Sequence, residues 1–275
     1  MTSASGQTGR ATQPFLKWAG GKRWLVAQGI LAPSHIERMV EPFLGSAAVF
    51  FSLSPKRALL ADVNAELINL YQVIRSSPKE LQIILKEYHA SHSKEHYYKV
   101  RQEVPIDCTM RAARTLYLNR TCWNGLYRVN KKGVFNVPIG TKSSVLFDGE
   151  DFTDYARVLE SADIRCQDFE VTLDCCGSGD FLFVDPPYTV KHNINGFVKY
   201  DENIFSWDDQ VRLAYALRRA GKRGAQILVT NADHESIREL YDADFNYRSA
   251  SRKSVLAGSS VHRVGTTEAL FTLNM

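Results

Sequence analysis

The beginning of the chain alternates short apolar segments with helical patterns, and this order constrains the fold more than any other feature. Arg38–Phe43 has the character of a buried strand and ends in a turn, after which Ala47–Phe51 begins a helix. Arg57–Ala61 repeats the strand pattern, and a helical segment with one apolar face follows it. Such order is typical of a parallel sheet covered by helices, whose ligands bind at the carboxyl ends of the strands.

The alternation stops in the middle of the chain. From Pro78 to about Leu118 the apolar residues recur with helical spacing. Val129 and Val134 then flank the segment Asn130–Gly133, which predicts a hairpin with a glycine turn. We therefore expect a second domain to be inserted here.

Strand patterns return in the second half of the chain. They lie at Phe181–Val184, Gln226–Thr230 and Ala269–Leu273, and an amphipathic helix is expected at about Asp208–Ala220. We predict an α/β fold with a Rossmann-like, mostly parallel sheet and an inserted helical and β-hairpin domain. The predicted divisions are a disordered tail at 1–13, a catalytic domain formed by 14–76 and 160–275, and the inserted domain at 77–159.

Charge is distributed unevenly along the chain. The formal net charge is only +4, but no acidic residue lies between Asp107 and Asp148. This acid-free segment contains Arg111, Arg114, Arg120, Arg128, Lys131, Lys132 and Lys142. A cluster of cations interleaved with aromatic residues favours an anionic partner such as nucleic acid.

The cysteines and the N-terminal residues bear on location and cofactors. The 5 cysteines show no Cys-x-x-Cys spacing, and their odd number favours a reducing compartment. Met1–Gln13 is small and polar, and no run of the sequence is apolar over a membrane-spanning length. We expect a cytoplasmic protein with no metal site, no membrane contact and no obligate protein partner.

A compact chemical motif follows the apolar run Phe181–Val184. It consists of Asp185, Pro186, Pro187 and Tyr188, and the prolines cannot continue a central strand because they lack a backbone N–H. A carboxylate, carbonyl oxygens and an aromatic face therefore converge at one strand end. This combination suits a planar group with an exocyclic amine, such as adenine.

Three further segments complete the predicted site. The turn after Glu41–Phe43 directs backbone N–H groups and a helix N-terminus outward, and Asp62 at the end of the next strand can accept hydrogen bonds from ribose hydroxyls. The segment Phe15–Lys22 combines an indole, two glycines and two lysines, so its backbone can approach a ligand closely.

Together these motifs resemble the Dam-type, D12-class DNA adenine-N6 methyltransferases, which use S-adenosylmethionine. The resemblance extends from about Phe15 to the last strand. It is carried by FLKWAGGK (Phe15–Lys22), EPFLG (Glu41–Gly45), ADVN (Ala61–Asn64), LYLNRTCWNGLYR (Leu116–Arg128), FNVPIG (Phe135–Gly140) and DPPY (Asp185–Tyr188).

The resemblance implies a methyltransferase fold and specific roles for these residues. The residues implied in binding S-adenosylmethionine are Trp18, Lys22, Phe43, Gly45, Asp62, Asp168, Phe169 and Asp185. The catalytic set is Asp185, Pro186, Pro187 and Tyr188. The family usually has a second glycine where this chain has Ala47, and we expect this extra methyl group not to abolish binding.

The resemblance also implies that double-stranded DNA is the partner and that the target adenine is flipped out of the helix. The residues implied in DNA binding are Arg120, Trp123, Asn124, Gly125, Leu126, Arg128, Lys131, Lys132 and Arg252. Trp123 would enter the base stack, whereas Leu126 and Arg128 would read bases, with GATC as the expected sequence. Two alternatives stay open: an RNA or protein-amide acceptor, and a DNA-binding protein without catalytic activity.

Overall fold

The computed structural model describes residues 13–18, 20–29, 33, 35–125, 127–130, 133–191, 205–253 and 265–275. Most of the predicted tail, residues 1–12, lies outside this part of the chain. None of the helices formed by the described residues is both long and apolar enough to cross a membrane.

The chain divides into two compact units. The first, called the helical unit below, contains residues 1–26, 45–54 and 64–162. The second, called the sheet unit, contains residues 27–44, 55–63 and 163–275. The predicted recognition domain at 77–159 lies entirely within the helical unit, and its boundaries stay a prediction.

Strands in the described residues form one sheet of 7 strands in the order β3-β2-β1-β4-β5-β7-β6. They are β1 (Arg38–Glu41), β2 (Ala58–Asp62), β3 (Ala162–Cys166), β4 (Asp180–Val184), β5 (Gln226–Ala232), β6 (Asn246–Lys253) and β7 (Gly265–Leu273). Parallel pairing joins β2 to β1, β1 to β4 and β4 to β5, whereas β7 is antiparallel to both β5 and β6. The predicted mostly parallel sheet is confirmed.

Helices connect and flank these strands. They are α1 (Arg23–Ala27), α2 (Ala48–Leu53), α3 (Ala65–Ser76), α4 (Pro78–Ala90), α5 (Lys94–Gln102), α6 (Cys108–Thr121), α7 (Phe152–Leu159), α8 (Phe169–Asp174), α9 (Trp207–Lys222) and α10 (Glu235–Tyr241). The predicted helical stretch from Pro78 to Leu118 is resolved into α4, α5 and most of α6.

The core of the sheet unit is apolar. All five residues of β4 are buried, which explains why this strand reads as a continuous apolar run. Helix α9 packs its apolar face into the same core, with Leu213 and Leu217 fully buried. Its first turn is fixed by a capping box, in which Ser206 and Asp209 each bond the other's backbone N–H.

The helical unit has an aromatic core. Phe15 contacts the rings of Phe51, Tyr71, Phe152 and Tyr155, with ring centroids 5.0–6.3 Å apart. These rings come from α2, α3 and α7 and from the segment that precedes α1. The FLKWAGGK segment is therefore anchored at its first residue by buried aromatic packing.

In the described part of this segment, the predicted hairpin is present as an antiparallel bridge between Val129 and Phe135. Asn130 N donates to Val134 O over 2.8 Å, and Gly133 N donates to Asn130 O over 2.9 Å. Gly133 has φ of 74°, the left-handed conformation expected of a turn glycine. The pattern at Tyr127–Val137 thus predicts the turn correctly, although the residues of this range that the structure describes form no extended strands.

Candidate functional site

Three predicted site residues follow parallel strands at the same edge of the sheet. Phe43 comes two residues after β1, Asp62 ends β2, and Asp185 directly follows β4. The strands are in register, with Val40 opposite both Leu59 and Leu182. Because the carboxyl ends of parallel strands lie together, this edge carries two carboxylates and an aromatic ring.

Asp185 is oriented by a residue of the neighbouring strand β5. Thr230, which is fully buried, donates a hydrogen bond from Oγ1 to Oδ1 of Asp185 over 2.6 Å. A short bond to a carboxylate is stronger than a bond between neutral groups. The strand therefore fixes the direction in which the Asp185 carboxylate faces.

The rest of the DPPY loop is held by side chains from α9 and β7. Gln210 Nε2 donates to the carbonyl oxygen of Pro187 over 3.0 Å. The Tyr188 hydroxyl donates to Oε2 of Glu268 over 3.0 Å. Burial raises the pKa of Tyr188 well above its ordinary value, and the charges of Asp185 and Glu268 raise it further. The phenol therefore stays protonated and remains a donor.

An aromatic group lies beside the predicted cofactor residues of the sheet unit. Phe43 stacks on Phe169 at 5.4 Å between centroids, and Phe205 meets both rings at 5.5 and 5.7 Å. Asp168, directly before Phe169, caps α8 by accepting from Glu170 N over 2.8 Å. These rings provide an apolar face for a planar group next to the strand ends.

Arg212 of α9 holds the Asp168 side chain. Its guanidinium donates to both Asp168 oxygens at 2.9 and 3.0 Å and lies 4.3 Å from the centroid of Phe169. The hydrogen bond to Asp168 is the main cause that raises the Arg212 pKa. The Asp168 carboxylate is therefore paired with the Arg212 cation, and it also caps the N-terminus of α8.

Trp18 and Gly45 are brought together in the helical unit. A Cβ atom on Gly45 would lie 3.1 Å from Cδ1 of Trp18, and Gly45 has φ of 48°. Tyr71 donates from its hydroxyl to Gly45 O over 3.1 Å. Glycine is favoured here because a side chain would press on the indole and would strain the left-handed backbone.

Lys22 and Ala47 complete this part of the helical unit. The Lys22 side chain is buried, and its Nζ donates to Gly20 O over 2.7 Å. Ala47 precedes α2 with φ of 50° and ψ of 34°, which is the left-handed region that favours glycine. The departure from the family pattern at Ala47 is therefore also a position of backbone strain.

The loop predicted to contact bases lies after α6. Trp123 is 52% exposed, and Asn124 has φ of 57°. The buried side chain of Asn119 bonds both backbone groups of Lys17, with its Oδ1 accepting at 3.1 Å and its Nδ2 donating at 2.7 Å. Asn119 Nδ2 also lies 3.4 Å from Gly125 O. Asn119 thus ties the FLKWAGGK segment to the Trp123 loop.

Arg128 is exposed beside the hairpin, where its Nε donates to Oδ1 of Asn136 over 3.1 Å. Leu126, Lys131 and Lys132 lie outside the described residues, as does the side chain of Arg252, whose backbone belongs to β6. Their predicted DNA contacts stay predictions.

Arg120 conflicts with the prediction of a phosphate contact. It is only 2% exposed and forms two bonds of 2.6 Å to the Glu150 carboxylate. The same guanidinium donates to Val145 O over 2.7 Å and to Phe15 O over 3.0 Å. A cation that is buried and paired in this way is not available to DNA, so we assign Arg120 a structural role.

Other arginines of the acid-free segment are also used within the protein. Arg111 pairs with Glu66, and Arg114 donates to the carbonyl oxygens of Val100 and Arg101. These two arginines therefore have partners within the protein.

Lys17, which lies outside the acid-free segment, has an unusual electrostatic environment. Burial and the nearby Lys142 lower the pKa of Lys17 to about 8. Lys17 therefore has a neighbouring positive charge that its sequence position does not reveal.

Sequence reasoning missed the residues that hold the DPPY loop. Thr230, Gln210 and Glu268 lie 45, 23 and 80 residues from the loop residues they contact. One signal was available, because Thr230 and Asn231 are polar residues at the end of an apolar strand pattern. Such residues at the carboxyl end of a central strand indicate a site.

Comparisons with known proteins agree on one family. A family model for D12 class N6 adenine-specific DNA methyltransferases matches residues 18–256, which include parts of both compact units. The type II methyltransferase M.MjaIII of Methanocaldococcus jannaschii is 35% identical over 268 residues, covering 89% of this chain and 92% of the relative. A DNA adenine methylase of Vibrio cholerae is 34% identical over 264 residues, covering 94% of this chain and 95% of the relative. The DNA N-6-adenine-methyltransferase of Escherichia phage P1 is 36% identical over 231 residues, covering 82% of this chain and 31% of the phage protein.

Proposed function

Because this chain belongs to the D12 class of N6 adenine-specific DNA methyltransferases, we propose that it methylates N6 of an adenine flipped out of duplex DNA, within the sequence GATC. S-adenosylmethionine is the proposed methyl donor. The observation that carries the proposal is the oriented Asp185 carboxylate at the carboxyl end of β4, followed by two proline carbonyls and a tyrosine ring.

The sheet edge fits S-adenosylmethionine by its chemistry. Asp62 can accept from ribose hydroxyls, and the rings of Phe43 and Phe169 offer an apolar face for the adenine. The family resemblance adds Trp18, Lys22 and Gly45 of the helical unit to the proposed set, and the lack of a side chain at Gly45 leaves room for the Trp18 indole. Asp168 and Asp185 add acceptors, and Asp185 belongs to both the cofactor and the target pockets. When bound, the cofactor supplies a methyl group on a sulfonium, which is already a strong electrophile.

The DPPY loop acts on the nucleophile. Asp185 and the Pro186 carbonyl accept the two N6 hydrogens, which keeps the nitrogen lone pair out of the adenine ring and directs it toward the methyl group. Methyl transfer would leave N6 cationic, and N6 would then release one of these hydrogens as a proton to the Asp185 carboxylate or to solvent. Tyr188 stacks on the base, with its hydroxyl held by Glu268, and Pro187 stiffens the loop. Catalysis in this proposal is chiefly positioning.

The helical unit provides most of the proposed DNA contacts. Trp123 is exposed on a constrained loop and enters the base stack at the position that the adenine leaves. Flipping the adenine out costs a few kcal/mol of stacking and pairing. Asn124 and Gly125 shape this loop, and Arg128 is suited to a bidentate contact with guanine. Leu126, Lys131, Lys132 and Arg252 remain part of the proposed DNA surface on the family pattern, whereas Arg120 is left out of it.

The proposal also covers the substrate and the cellular compartment of the enzyme. Its substrate is double-stranded DNA, and we expect it to act in the cytoplasm of a bacterium or a virus-infected host cell. The type II names of some relatives support a link to restriction and modification as one role.

Transfer of labelled methyl groups tests the proposal. The enzyme is incubated with labelled S-adenosylmethionine and unmethylated duplex DNA, and the DNA is then digested to nucleosides. We expect the label in N6-methyladenine, and no incorporation when every GATC in the DNA is already methylated. Unchanged incorporation into the pre-methylated DNA would refute GATC, and no label in any nucleoside would refute the DNA substrate.

Base flipping needs its own measurement. A duplex with 2-aminopurine in place of the target adenine should become more fluorescent on binding, because the base leaves the stack. The same label placed two base pairs away serves as the control and should change little. Equal changes at both positions would argue against selective flipping.

A further inference from the structure

We propose that Gln210, oriented by Asn231, is a positioning residue that fixes the Pro187 carbonyl and with it the shape of the DPPY loop. The inference rests on the proposed role of this loop in methyl transfer. It concerns a side chain on α9 and another on β5, neither of which belongs to the predicted catalytic or cofactor-binding set.

Gln210 and Asn231 form a buried amide pair behind the loop. Both residues are 0% exposed in the core of the sheet unit. Gln210 Nε2 donates to Pro187 O over 3.0 Å, and Asn231 Nδ2 donates to Gln210 Oε1 over 3.0 Å. Buried amides are costly unless they are hydrogen-bonded, so an apolar residue would be the simpler choice at a purely structural position. The chain instead places two amides in series that end on the DPPY loop.

The direction of this amide series is set by the backbone of β5. Ala232 N donates to Asn231 Oδ1 over 2.8 Å, so the Asn231 amide must present its NH₂ group to Gln210. Gln210 then accepts with its oxygen, and its NH₂ group is left to face Pro187. An isolated amide can flip its oxygen and nitrogen, but this series allows one orientation. The donor that reaches the Pro187 carbonyl is therefore defined by the strand.

A donor from outside is useful because the loop has few donors of its own. Pro186 and Pro187 lack backbone N–H groups, so neither residue can donate a turn hydrogen bond. The proline ring also fixes φ of Pro187, which leaves only one soft torsion between the carbonyls of Pro186 and Pro187. Holding the Pro187 carbonyl thus limits where the Pro186 carbonyl points, and that carbonyl is the proposed acceptor of an N6 hydrogen.

Strand β5 holds the loop from both of its faces. Thr230 and Asn231 are successive residues, so their side chains leave the strand on opposite sides. Thr230 bonds Asp185 directly, and Asn231 acts on Pro187 through Gln210. The two proposed acceptors of the N6 hydrogens are therefore positioned by one rigid central strand.

Two substitutions at Gln210 test the inference on the full-length protein. Gln210→Met keeps the size of the side chain but cannot donate, and we expect kcat to fall about tenfold while DNA affinity stays within about twofold. Gln210→Glu places a buried carboxylate against the Pro187 carbonyl at pH 8. Protonation of that side chain restores an O–H donor, so the kcat of this variant, relative to the unsubstituted enzyme, should rise several-fold as the pH is lowered toward about 6. Asp185 and Glu268 are charged groups that bond to other residues of the loop or of β5, and Asp209 precedes Gln210 in α9; all three are present in both proteins, so each kcat is compared with that of the unsubstituted enzyme at the same pH.

Gln226→Met is the matched control. Gln226 lies on the same strand as Asn231, but its Nε2 donates to His35 O and contacts no residue of the loop through that bond. The control should keep the unsubstituted kcat. Thermal melting and DNA binding by fluorescence anisotropy are measured for every variant, because a structural role would change melting without a pH-dependent change in kcat.

Several outcomes would overturn the inference. The first is an unchanged kcat in folded Gln210→Met. The second is a kcat of Gln210→Glu, relative to the unsubstituted enzyme, that does not change with pH. The third is loss of folding in both variants, which would mean that the two amides serve the stability of the fold. An unsubstituted enzyme that methylates no DNA would instead refute the proposed function.

Discussion

Thr230 and Asp185 are joined by a 2.6 Å hydrogen bond from the Thr230 hydroxyl to Oδ1 of the carboxylate. The donor lies in the central strand β5 and is fully buried, whereas the acceptor lies just past the end of β4. Strands β4 and β5 are hydrogen-bonded neighbours, with Val184 opposite Val229. The direction of the Asp185 carboxylate is therefore a property of the sheet.

Removal of this hydroxyl should slow catalysis more than it weakens binding. Thr230→Val keeps the β-branched shape but leaves Oδ1 of Asp185 without this donor. A hydrogen bond to a charged group contributes about 1.5–3 kcal/mol, so we expect kcat to fall about tenfold or more in a steady-state methylation assay. Thr230→Ser retains a hydroxyl and should recover most of the activity. Equal losses in both variants would contradict the role of the hydrogen bond.

The buried pair of Arg120 and Glu150 should dominate the stability of the helical unit. Both side chains are almost inaccessible, and Glu150→Ala leaves an uncompensated guanidinium in the core. We expect a loss of about 3–5 kcal/mol in the free energy of unfolding, measured by denaturant titration. Glu66→Ala removes the partly exposed partner of Arg111 and should cost less than about 1 kcal/mol. Similar losses of unfolding free energy in the two variants would contradict a larger contribution to stability from the buried Arg120–Glu150 pair.

The strands that the sequence predicts and those that it misses differ in their place in the sheet. Both β4 and β5 are central, and their nearly continuous burial gives the apolar runs from which they are predicted. The two strands without a sequence signal, β3 and β6, lie at opposite edges. Only Ala162 and Ile164 of β3 are buried, so its apolar pattern is too sparse to predict a strand.

The sequence predicts the site only where the residues that form it lie close together along the chain. The DPPY loop and the motifs that resemble the family meet this condition, and the family match confirms the resemblance. Burial, by contrast, depends on tertiary contacts. Arg120 looked like a surface cation because its partner Glu150 lies just beyond the acid-free segment.

Ala47 offers a test of backbone strain. An L residue in the left-handed region costs about 1–2 kcal/mol, and glycine removes that cost while increasing the freedom of the unfolded chain. We expect Ala47→Gly to change the free energy of unfolding by less than about 1 kcal/mol and to leave cofactor affinity unchanged. Ala48→Gly, one residue later in α2, lacks the relief of strain and should destabilise by about 0.5–1 kcal/mol. Equal destabilisation by both would contradict a strained Ala47.

Arg128 should control sequence preference. Its guanidinium is exposed beside the hairpin, with Asn136 bonding its Nε. In a binding series with one base pair changed at a time, we expect Arg128→Ala to lose about 1–3 kcal/mol of discrimination at one position. Lys132→Ala serves as the comparison and should weaken all sequences alike while reducing the salt dependence. A uniform loss in the Arg128 variant would remove this residue from base reading.

Lys17 should make DNA binding depend on pH in the alkaline range. Burial and the neighbouring Lys142 lower the pKa of Lys17 to about 8, whereas an ordinary lysine keeps its charge to well above that pH. Its side chain packs against the Trp123 loop, where a Cβ on Gly125 would lie 2.7 Å from Lys17 Cδ. A DNA phosphate close to Lys17 would raise its pKa in the complex, so binding above pH 8 would take up a proton.

The affinity for duplex DNA should therefore be nearly constant at about pH 7 and fall as the pH rises through about 8, at fixed ionic strength. Fluorescence anisotropy with a labelled duplex measures it. Lys17→Arg keeps its charge throughout this range and should remove the decline, because the guanidinium does not deprotonate. Lys17→Met should bind more weakly at pH 7 and also show no decline. An equal fall of DNA affinity with pH in Lys17→Arg would mean that another group titrates, because the arginine keeps its charge.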